Sequence, residues 1–334
     1  MLNNRSLRIS GVLAGLLLLA TALVASLRFG FQPVSLADVV NSFIAYDGGT
    51  LEHLIIRSER TVRTIIALCV GSALAVAGTL MQTLTRNALA SPGLLGINAG
   101  ALFLVVIGIT LFSLNTPLQL IWLAFAGAAL AATLVYFLGR ETSGTLSPMR
   151  TILAGVAITT LFVSVSQGLL IFHQERLETL MFWIAGSVSG RDLDTVSAIL
   201  PMIGAALLLS LLLARQLNLL GLDDDVMQGL GLQVARVRIL SGLLVVVLAG
   251  ASVAISGLIG FVGLIVPHIA RALFGTDHRW LLPASALIGA ILLLVADTLA
   301  RLMIPPREIP IGVITALLGT PLFLRLATRG STST

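Results

Sequence analysis

The sequence has no lysine and few charged residues, which excludes several classes of protein. Of 334 residues only 10% are charged, and all twenty basic side chains are arginine. A soluble protein usually has about 25% charged residues, because water must solvate its surface. Without lysine there is no G-x-x-x-x-G-K-[ST] phosphate loop, so we predict no ATPase site in this chain. We also find no basic stripe with interleaved aromatic residues, which argues against nucleic acid as a partner.

Residues that bind metals or carry out catalysis are scarce as well. The single cysteine, Cys69, lies in a hydrophobic run, which excludes a disulfide framework and a cysteine-based metal site. The four histidines are scattered, without a partner at the spacing of helical metal ligands. A haem or metal role for His268 is the alternative to a packed histidine. We predict a transporter subunit rather than an enzyme, with no catalytic residue, no metal site and no cofactor of its own.

Long apolar runs dominate what is present. Hydrophobic residues make up 57% of the chain and the mean hydropathy is +1.04. A run of about 20 apolar residues crosses the bilayer, and its backbone must be helical to satisfy its own hydrogen bonds. We therefore predict an all-α, polytopic membrane protein, residues 1–334, formed as one transmembrane domain. The ten predicted spans are 9–27, 64–84, 94–113, 117–138, 151–172, 196–214, 239–256, 257–274, 281–300 and 309–324.

Two of these spans have an alternative interpretation. Run 9–27 resembles a cleaved secretory signal, but it is longer than the usual hydrophobic region of about 7–15 residues, so we interpret it as a retained span. Run 257–274 directly follows its neighbour and is either a full span or a short, re-entrant helix. Between the first two spans, Ser35 is a plausible N-cap of a short amphipathic helix.

The arginine distribution predicts that both termini are cytoplasmic. With ten spans, this orientation places twelve arginines in inner segments and eight in outer segments. The Gly-Ala-rich stretches 71–78 and 250–257 resemble each other and would run in opposite directions. They indicate an inverted internal repeat, an arrangement found in many transporters, although chance similarity is the alternative.

Only one acidic residue, Asp297, lies inside a predicted span, and Arg301 follows one turn later where the two side chains can pair. Ion-coupled transporters and proton pumps usually need several ionisable groups in the membrane. An ion-coupled secondary transporter and a membrane-embedded enzyme are therefore the less favoured alternatives, and the chain needs a partner that supplies energy.

Three long motifs stand out in the sequence: MQTLTRNALASPGLLGINAG at 81–100, GFVGLIVPHIAR at 260–271, and ADTLAR at 296–301 followed by EIPIGVITA at 308–316. These motifs resemble the permease family of binding-protein-dependent ABC importers for iron-siderophores, haem and vitamin B12. The similarity extends from about residue 50 to the C-terminus.

The resemblance implies a set of partners. These are a second permease subunit, identical or similar, two cytoplasmic ATPase subunits that use ATP and magnesium, an extracytoplasmic substrate-binding protein, a metal-chelate cargo and the lipid bilayer. It implies residence in the bacterial cytoplasmic (inner) membrane. Iron(III)-siderophore chelates are the leading cargo, while haem and vitamin B12 stay open, as does the choice between homodimer and heterodimer.

The resemblance also implies roles for particular residues. The inner loop 215–238 matches the loop that docks on the ATPase. Its coupling residues are Leu222, Gly229, Leu230, Gly231, Leu232, Val234, Arg236 and Arg238. The family has outer-surface arginines that bind acidic groups of the binding protein, and these match Arg60, Arg63 and Arg301. Positions that close the path near the cytoplasm match Asn87, Leu89, Ser147, Pro148 and Met149. This chain has Arg60-Thr-Val-Arg63 where the family usually has Arg-Leu-Pro-Arg, and it departs from the family pattern at Pro148 and Met149.

Overall fold

A computed structural model describes residues 5–140, 148–172, 184–191, 193–221, 229, 233–304 and 307–330. Within these ranges the protein is built from helices, as predicted. The fourteen that we number are α1 (Arg5–Arg28), α2 (Leu36–Ile44), α3 (Leu51–Ile55), α4 (Thr61–Thr85), α5 (Ile97–Leu111), α6 (Pro117–Gly139), α7 (Pro148–Phe172), α8 (Leu193–Ser197), α9 (Leu200–Leu212), α10 (Ala214–Leu219), α11 (Val234–Ser256), α12 (Val262–Phe274), α13 (His278–Leu302) and α14 (Ile311–Gly330).

Each of the ten predicted apolar runs contains a helix. In the described ranges six helical segments are long and apolar enough to cross a membrane: α1, α3 continuing through a π turn into α4, α6, α7, α11 and α13. Apolar helices of 10–17 residues account for the other four runs, α5, α9, α12 and the apolar part of α14. The all-helical, multi-pass class is confirmed, and the number of ten spans stays a prediction.

The N-terminal run and the segment after it fold as predicted. Helix α1 packs on α13, where a Cβ at Gly15 would meet Leu287 at 2.5 Å. Ser35 caps α2, because its hydroxyl accepts a hydrogen bond from the backbone N–H of Asp38 at 3.1 Å. Such a cap satisfies one of the donors that the first turn of a helix leaves free.

Glycine sets the spacing of the central helices. A Cβ at Gly71 would lie 2.3 Å from the carbonyl oxygen of Gly289 in α13, and one at Gly78 would lie 1.9 Å from that of Gly263 in α12. Small residues let helix backbones approach this closely. The stretches 71–78 in α4 and 250–257 at the end of α11 are buried throughout, as expected for helices surrounded by other helices.

Helix α12 is too short to cross a bilayer on its own. Gly257 ends α11 with φ of 69° and residues up to Phe261 are not helical. Helix α12 then has 13 residues, about 20 Å at the usual rise, against a hydrocarbon core of about 30 Å. The structure thus favours the short helix over the full span for run 257–274.

Candidate functional site

A buried ion-pair network joins α4 to α13. Asp297 in α13 is fully buried, and its Oδ1 accepts a hydrogen bond of 2.9 Å from Nη2 of Arg63 in α4. Its Oδ2 lies 2.8 Å from Nη2 of Arg301, as an ion pair without hydrogen-bond alignment. The predicted pairing of Asp297 with Arg301 is confirmed. The same carboxylate also holds an arginine from a second helix, so each buried charge has an opposite charge beside it.

Arg63 also contacts two segments that are distant in sequence. Its Nη1 donates to both carboxylate oxygens of Glu308 at 2.8 Å and to Ser189 Oγ at 3.2 Å. Glu59, on the turn before α4, is a further ion-pair partner at 3.6 Å. A single guanidinium group therefore links α4 and α13 to the residues just before α14 and to segment 184–191.

Arg301 and Arg60 hold the end of α1. Arg301 donates to the carbonyl oxygen and to Oγ of Ser26, both at 3.1 Å, and Arg60 donates to the carbonyl oxygen of Leu27 at 2.8 Å. The last carbonyl groups of a helix have no partner within the helix and need donors from elsewhere. The two arginines supply those donors.

The structure corrects the expected surface position of Arg60, Arg63 and Arg301. All three side chains are buried, with relative exposures of 3–5%. They turn inward because Asp297 and the end carbonyls of α1 are nearby acceptors that need donors. Direct contact with a binding protein stays a prediction, and it would require some of these internal bonds to be exchanged.

A second polar cluster lies at the opposite end of α4. Asn218 in α10 donates from Nδ2 to Oδ1 of Asp277 at 2.7 Å and accepts from the backbone N–H of His278 at 2.8 Å. The ring nitrogen Nε2 of His278 lies 2.8 Å from Thr83 Oγ1 in α4. The start of α13 is thus fastened to both α10 and α4.

Asp277 is the N-cap of α13. Its Oδ1 also accepts from the backbone N–H of Arg279 at 3.0 Å. Burial alone would raise the pKa of Asp277. The hydrogen bonds from Arg279 and Asn218 and the positive charges of Arg279 and Arg8 outweigh burial and hold that pKa below its usual value. The carboxylate that begins α13 is therefore charged at neutral pH.

The same end of α4 contacts the first part of loop 215–238. Arg86 ends α4 in the left-handed conformation, with φ of 49°, and its Nε donates to the carbonyl oxygen of Leu220 at 3.2 Å. Helix α10 and Leu220 come directly before the predicted coupling residues. The structure therefore links the base of this loop to the end of α4.

Four of the eight predicted coupling residues lie outside the described residues, namely Leu222, Leu230, Gly231 and Leu232. Gly229 is exposed, Val234 begins α11 and is buried, Arg236 is exposed and Arg238 is half-buried. Their contact with an ATPase stays a prediction.

The structure places Asn87, a member of the predicted gate, beside the first turn of α7. Asn87 follows α4, and its Oδ1 accepts from the backbone N–H of Leu89 at 2.9 Å. Asn87 borders a small cleft whose other side includes Thr151 and Ile152 in the first turn of α7. Two further members of the set are well exposed, Leu89 and Met149. Pro148 is the first residue of α7, and Ser147 lies outside the described residues. The closing role of this set stays a prediction.

An open apolar groove runs along α14. Its lining residues are small or apolar and carry no charge: Ile184, Ala185, Leu258, Gly312, Val313, Ala316, Leu317, Thr320, Pro321 and Leu324. A Cβ at Gly312 would lie 2.5 Å from the carbonyl oxygen of Ala185, so α14 begins in close contact with segment 184–191.

Sequence reasoning missed several residues of these sites. Glu308 and Ser189 converge on Arg63 only through the fold; Glu308 begins the motif at 308–316, but the motif does not indicate its partner, and no local pattern marks Ser189. Asn218 likewise gives no signal in the sequence. Asp277 was detectable, because an Asp a few residues before an apolar run is a typical N-cap.

The fold and these sites define a multi-pass helical membrane protein of the transport class. The chain belongs to the FecCD transport family, whose profile matches residues 17–329. It is 44% identical over 94% of its length to YfiZ, a siderophore transport system permease protein of Bacillus subtilis, and covers 94% of that protein.

Other relatives have different named cargoes. The ferric enterobactin permease FepD of Escherichia coli is 40% identical over 98% of this chain and 96% of its own. The hemin permease HmuU of Yersinia pestis is 44% identical over 81% of this chain and 82% of its own. A solved structure described as a metal-chelate type ABC transporter in an inward-facing conformation superposes with a TM-score of 0.85, at 30% identity, over 96% of this chain and 99% of that one.

Proposed function

We propose that this chain is the membrane-spanning permease subunit of a binding-protein-dependent ABC importer for an iron(III)–siderophore type of chelate. The observation that carries the proposal is identity of 40% or more to siderophore and enterobactin permeases over nearly the whole chain. The absence of lysine supports an external source of energy, because a phosphate-binding loop of the G-x-x-x-x-G-K-[ST] form needs one.

The proposed subunit works in the bacterial inner membrane with both termini in the cytoplasm. Loop 215–238 docks on a separate ATPase, and the bonds Asn218–His278–Thr83 and Leu220–Arg86 carry its displacement to the end of α4. Asn87, which follows Arg86, belongs to the proposed gate. Support comes from the proximity of these groups, because coupling between distant sites is carried by chains of packed and hydrogen-bonded side chains.

A second permease subunit completes the path. The groove on α14 exposes apolar residues such as Val313 and Leu317 and its lining is uncharged. A matching subunit would cover this face and leave a passage whose walls hold the chelate weakly. Affinity for the cargo then resides in the binding protein that delivers it.

Reconstitution in proteoliposomes tests this function. The chain, its ATPase and its binding protein are purified together, and uptake of radioactive iron chelates is measured with and without ATP. We expect uptake that requires ATP, both partner proteins and the chelate that the binding protein retains on purification. Uptake by the chain alone, driven by an ion gradient, would overturn the proposal.

Haem and vitamin B12 are tested as cargoes in the same vesicles. The hemin permease relative and the siderophore permease relative have the same sequence identity to this chain. The uptake assay in vesicles therefore decides between the cargoes. Transport of haem or vitamin B12 in place of iron chelates would keep the permease assignment and replace the cargo.

A further inference from the structure

Glu308 differs from the other members of the buried network in its access to solvent. The side chains of Arg63 and Arg301 are 4% exposed and that of Asp297 is fully buried, whereas 38% of the Glu308 side chain is exposed. Water or another molecule therefore reaches Glu308 without opening the helix packing. Among these four groups, Glu308 is the one that can be exchanged.

The charges of the network require a second carboxylate. Arg63 and Arg301 are two buried cations, and Asp297 is a single buried anion between them. Without Glu308, Arg63 keeps only Asp297 and the more distant, 52% exposed Glu59 at 3.6 Å among the described carboxylates, so the positive charge of the two arginines is less completely neutralised unless an anion enters. Arg63 Nη1 is within 2.8 Å of both Glu308 oxygens, so the pocket already fits a carboxylate group.

The bond to Glu308 also has a mechanical consequence. Glu308 lies three residues before α14, and it ties this segment to α4 through Arg63. Ser189 attaches segment 184–191 to the same guanidinium. Both segments border the groove, through Gly312 and Val313 on one side and Ala185 on the other. The group that is bound to Arg63 therefore affects the positions of both segments that border the groove.

We propose that Glu308 is an exchangeable internal carboxylate, which a carboxylate of the docking binding protein replaces at Arg63. Replacement unties segment 307–313 from α4 and frees the start of α14 to move. In the undocked chain Glu308 thus acts as an autoinhibitory contact. The inference rests on the proposed function for the identity of the partner, and it reconciles a docking role of Arg63 with its buried position.

Hydrogen exchange of the purified chain tests the exchangeable carboxylate without any partner. In Glu308→Ala we expect amide exchange of segment 307–313 to be about two- to fivefold faster than in the unaltered protein, the range that a partly exposed ion pair represents. Added acetate should restore slow exchange by binding at Arg63. Sodium chloride at the same ionic strength should not.

Glu59→Ala is the matched control, because Glu59 also pairs with Arg63 at 3.6 Å but lies before α4, with a side chain that is 52% exposed. Its removal should leave exchange of 307–313 unaltered, and acetate should have no effect there. Equal exchange in the unaltered protein and in Glu308→Ala, or acetate acting no more than chloride, would overturn the proposal. This readout needs no transport, so its failure leaves the permease assignment standing.

Binding measurements on the reconstituted transporter test the competition itself. Glu308→Gln removes the internal charge but keeps the shape of the side chain. We expect this variant to bind the purified binding protein about two- to fivefold more tightly. Unchanged or weaker binding, in a system where the unaltered transporter binds normally, would reject Glu308 as the competitor. Absence of binding by the unaltered transporter would instead count against the proposed function.

Discussion

Asp297 and Arg63 are separated by 234 positions in sequence, yet their side chains meet at 2.9 Å inside the protein. The contact ties α13 to α4. Because Asp297 is also paired with Arg301, the carboxylate neutralises charge from two helices. Its loss should matter more than the loss of either arginine contact alone.

Replacing Asp297 tests this central position. Asp297→Asn keeps the shape of the side chain but leaves two buried guanidinium groups without their shared anion, so we expect destabilisation of about 3–5 kcal/mol. Thermal unfolding in detergent measures the effect. Glu52→Gln, at an exposed acidic residue of α3, is the control and should leave the midpoint unchanged. A midpoint in Asp297→Asn as high as in this control would show that the pair does not stabilise the fold.

Helix spacing gives a second prediction. In Gly78→Ala the new methyl group would meet the Gly263 carbonyl oxygen, which lies 1.9 Å from the Cβ position. Separating α4 from α12 should cost about 1–3 kcal/mol or more. In Gly242→Ala, within α11, the added Cβ meets nothing within 4 Å, and we expect equal or slightly higher stability because alanine favours helix. Similar unfolding midpoints for both variants would contradict the close contact.

Asn218 provides a third prediction, on coupling between loop and gate. Asn218→Ala removes the amide that bonds Asp277 and His278. Losing the partner of a part-buried polar group usually costs about 1–3 kcal/mol. We expect ATPase stimulation by the loaded binding protein to fall more than the basal ATPase rate. Asn41→Ala, in the exposed part of α2, serves as the control. A parallel loss of both rates would indicate a general folding defect instead.

The coupling loop itself gives a fourth prediction. Gly231→Arg places a bulky charged side chain in the segment proposed to dock on the ATPase. The transporter should still assemble in the membrane, while ATPase activity stimulated by cargo falls to the unstimulated rate. Gly48→Arg introduces the same side chain in an exposed segment predicted to face outward and should retain stimulation. Full stimulation of Gly231→Arg would reject the docking assignment of this loop.

Much of the architecture could be predicted from local sequence. Apolar runs long enough for the bilayer specify helices, because a backbone in lipid must bond to itself. Ser35 is predictable as the N-cap of α2, since the backbone N–H that donates to its hydroxyl belongs to Asp38, three residues later. The Asp297–Arg301 pair follows from helical periodicity alone. In each case the interacting groups lie within one turn of the chain.

Only the tertiary structure decided which charges meet across helices. Arginines near the ends of apolar runs suggest a surface, but Arg60, Arg63 and Arg301 turn inward because Asp297 and unpaired carbonyl groups of α1 lie beside them once the helices pack. Glu308 and Ser189 reach Arg63 for the same reason. The sequence determined a helical membrane protein, because hydrophobicity and helical period are local properties. The position of its polar groups depended on packing between segments far apart in sequence, which local patterns do not encode.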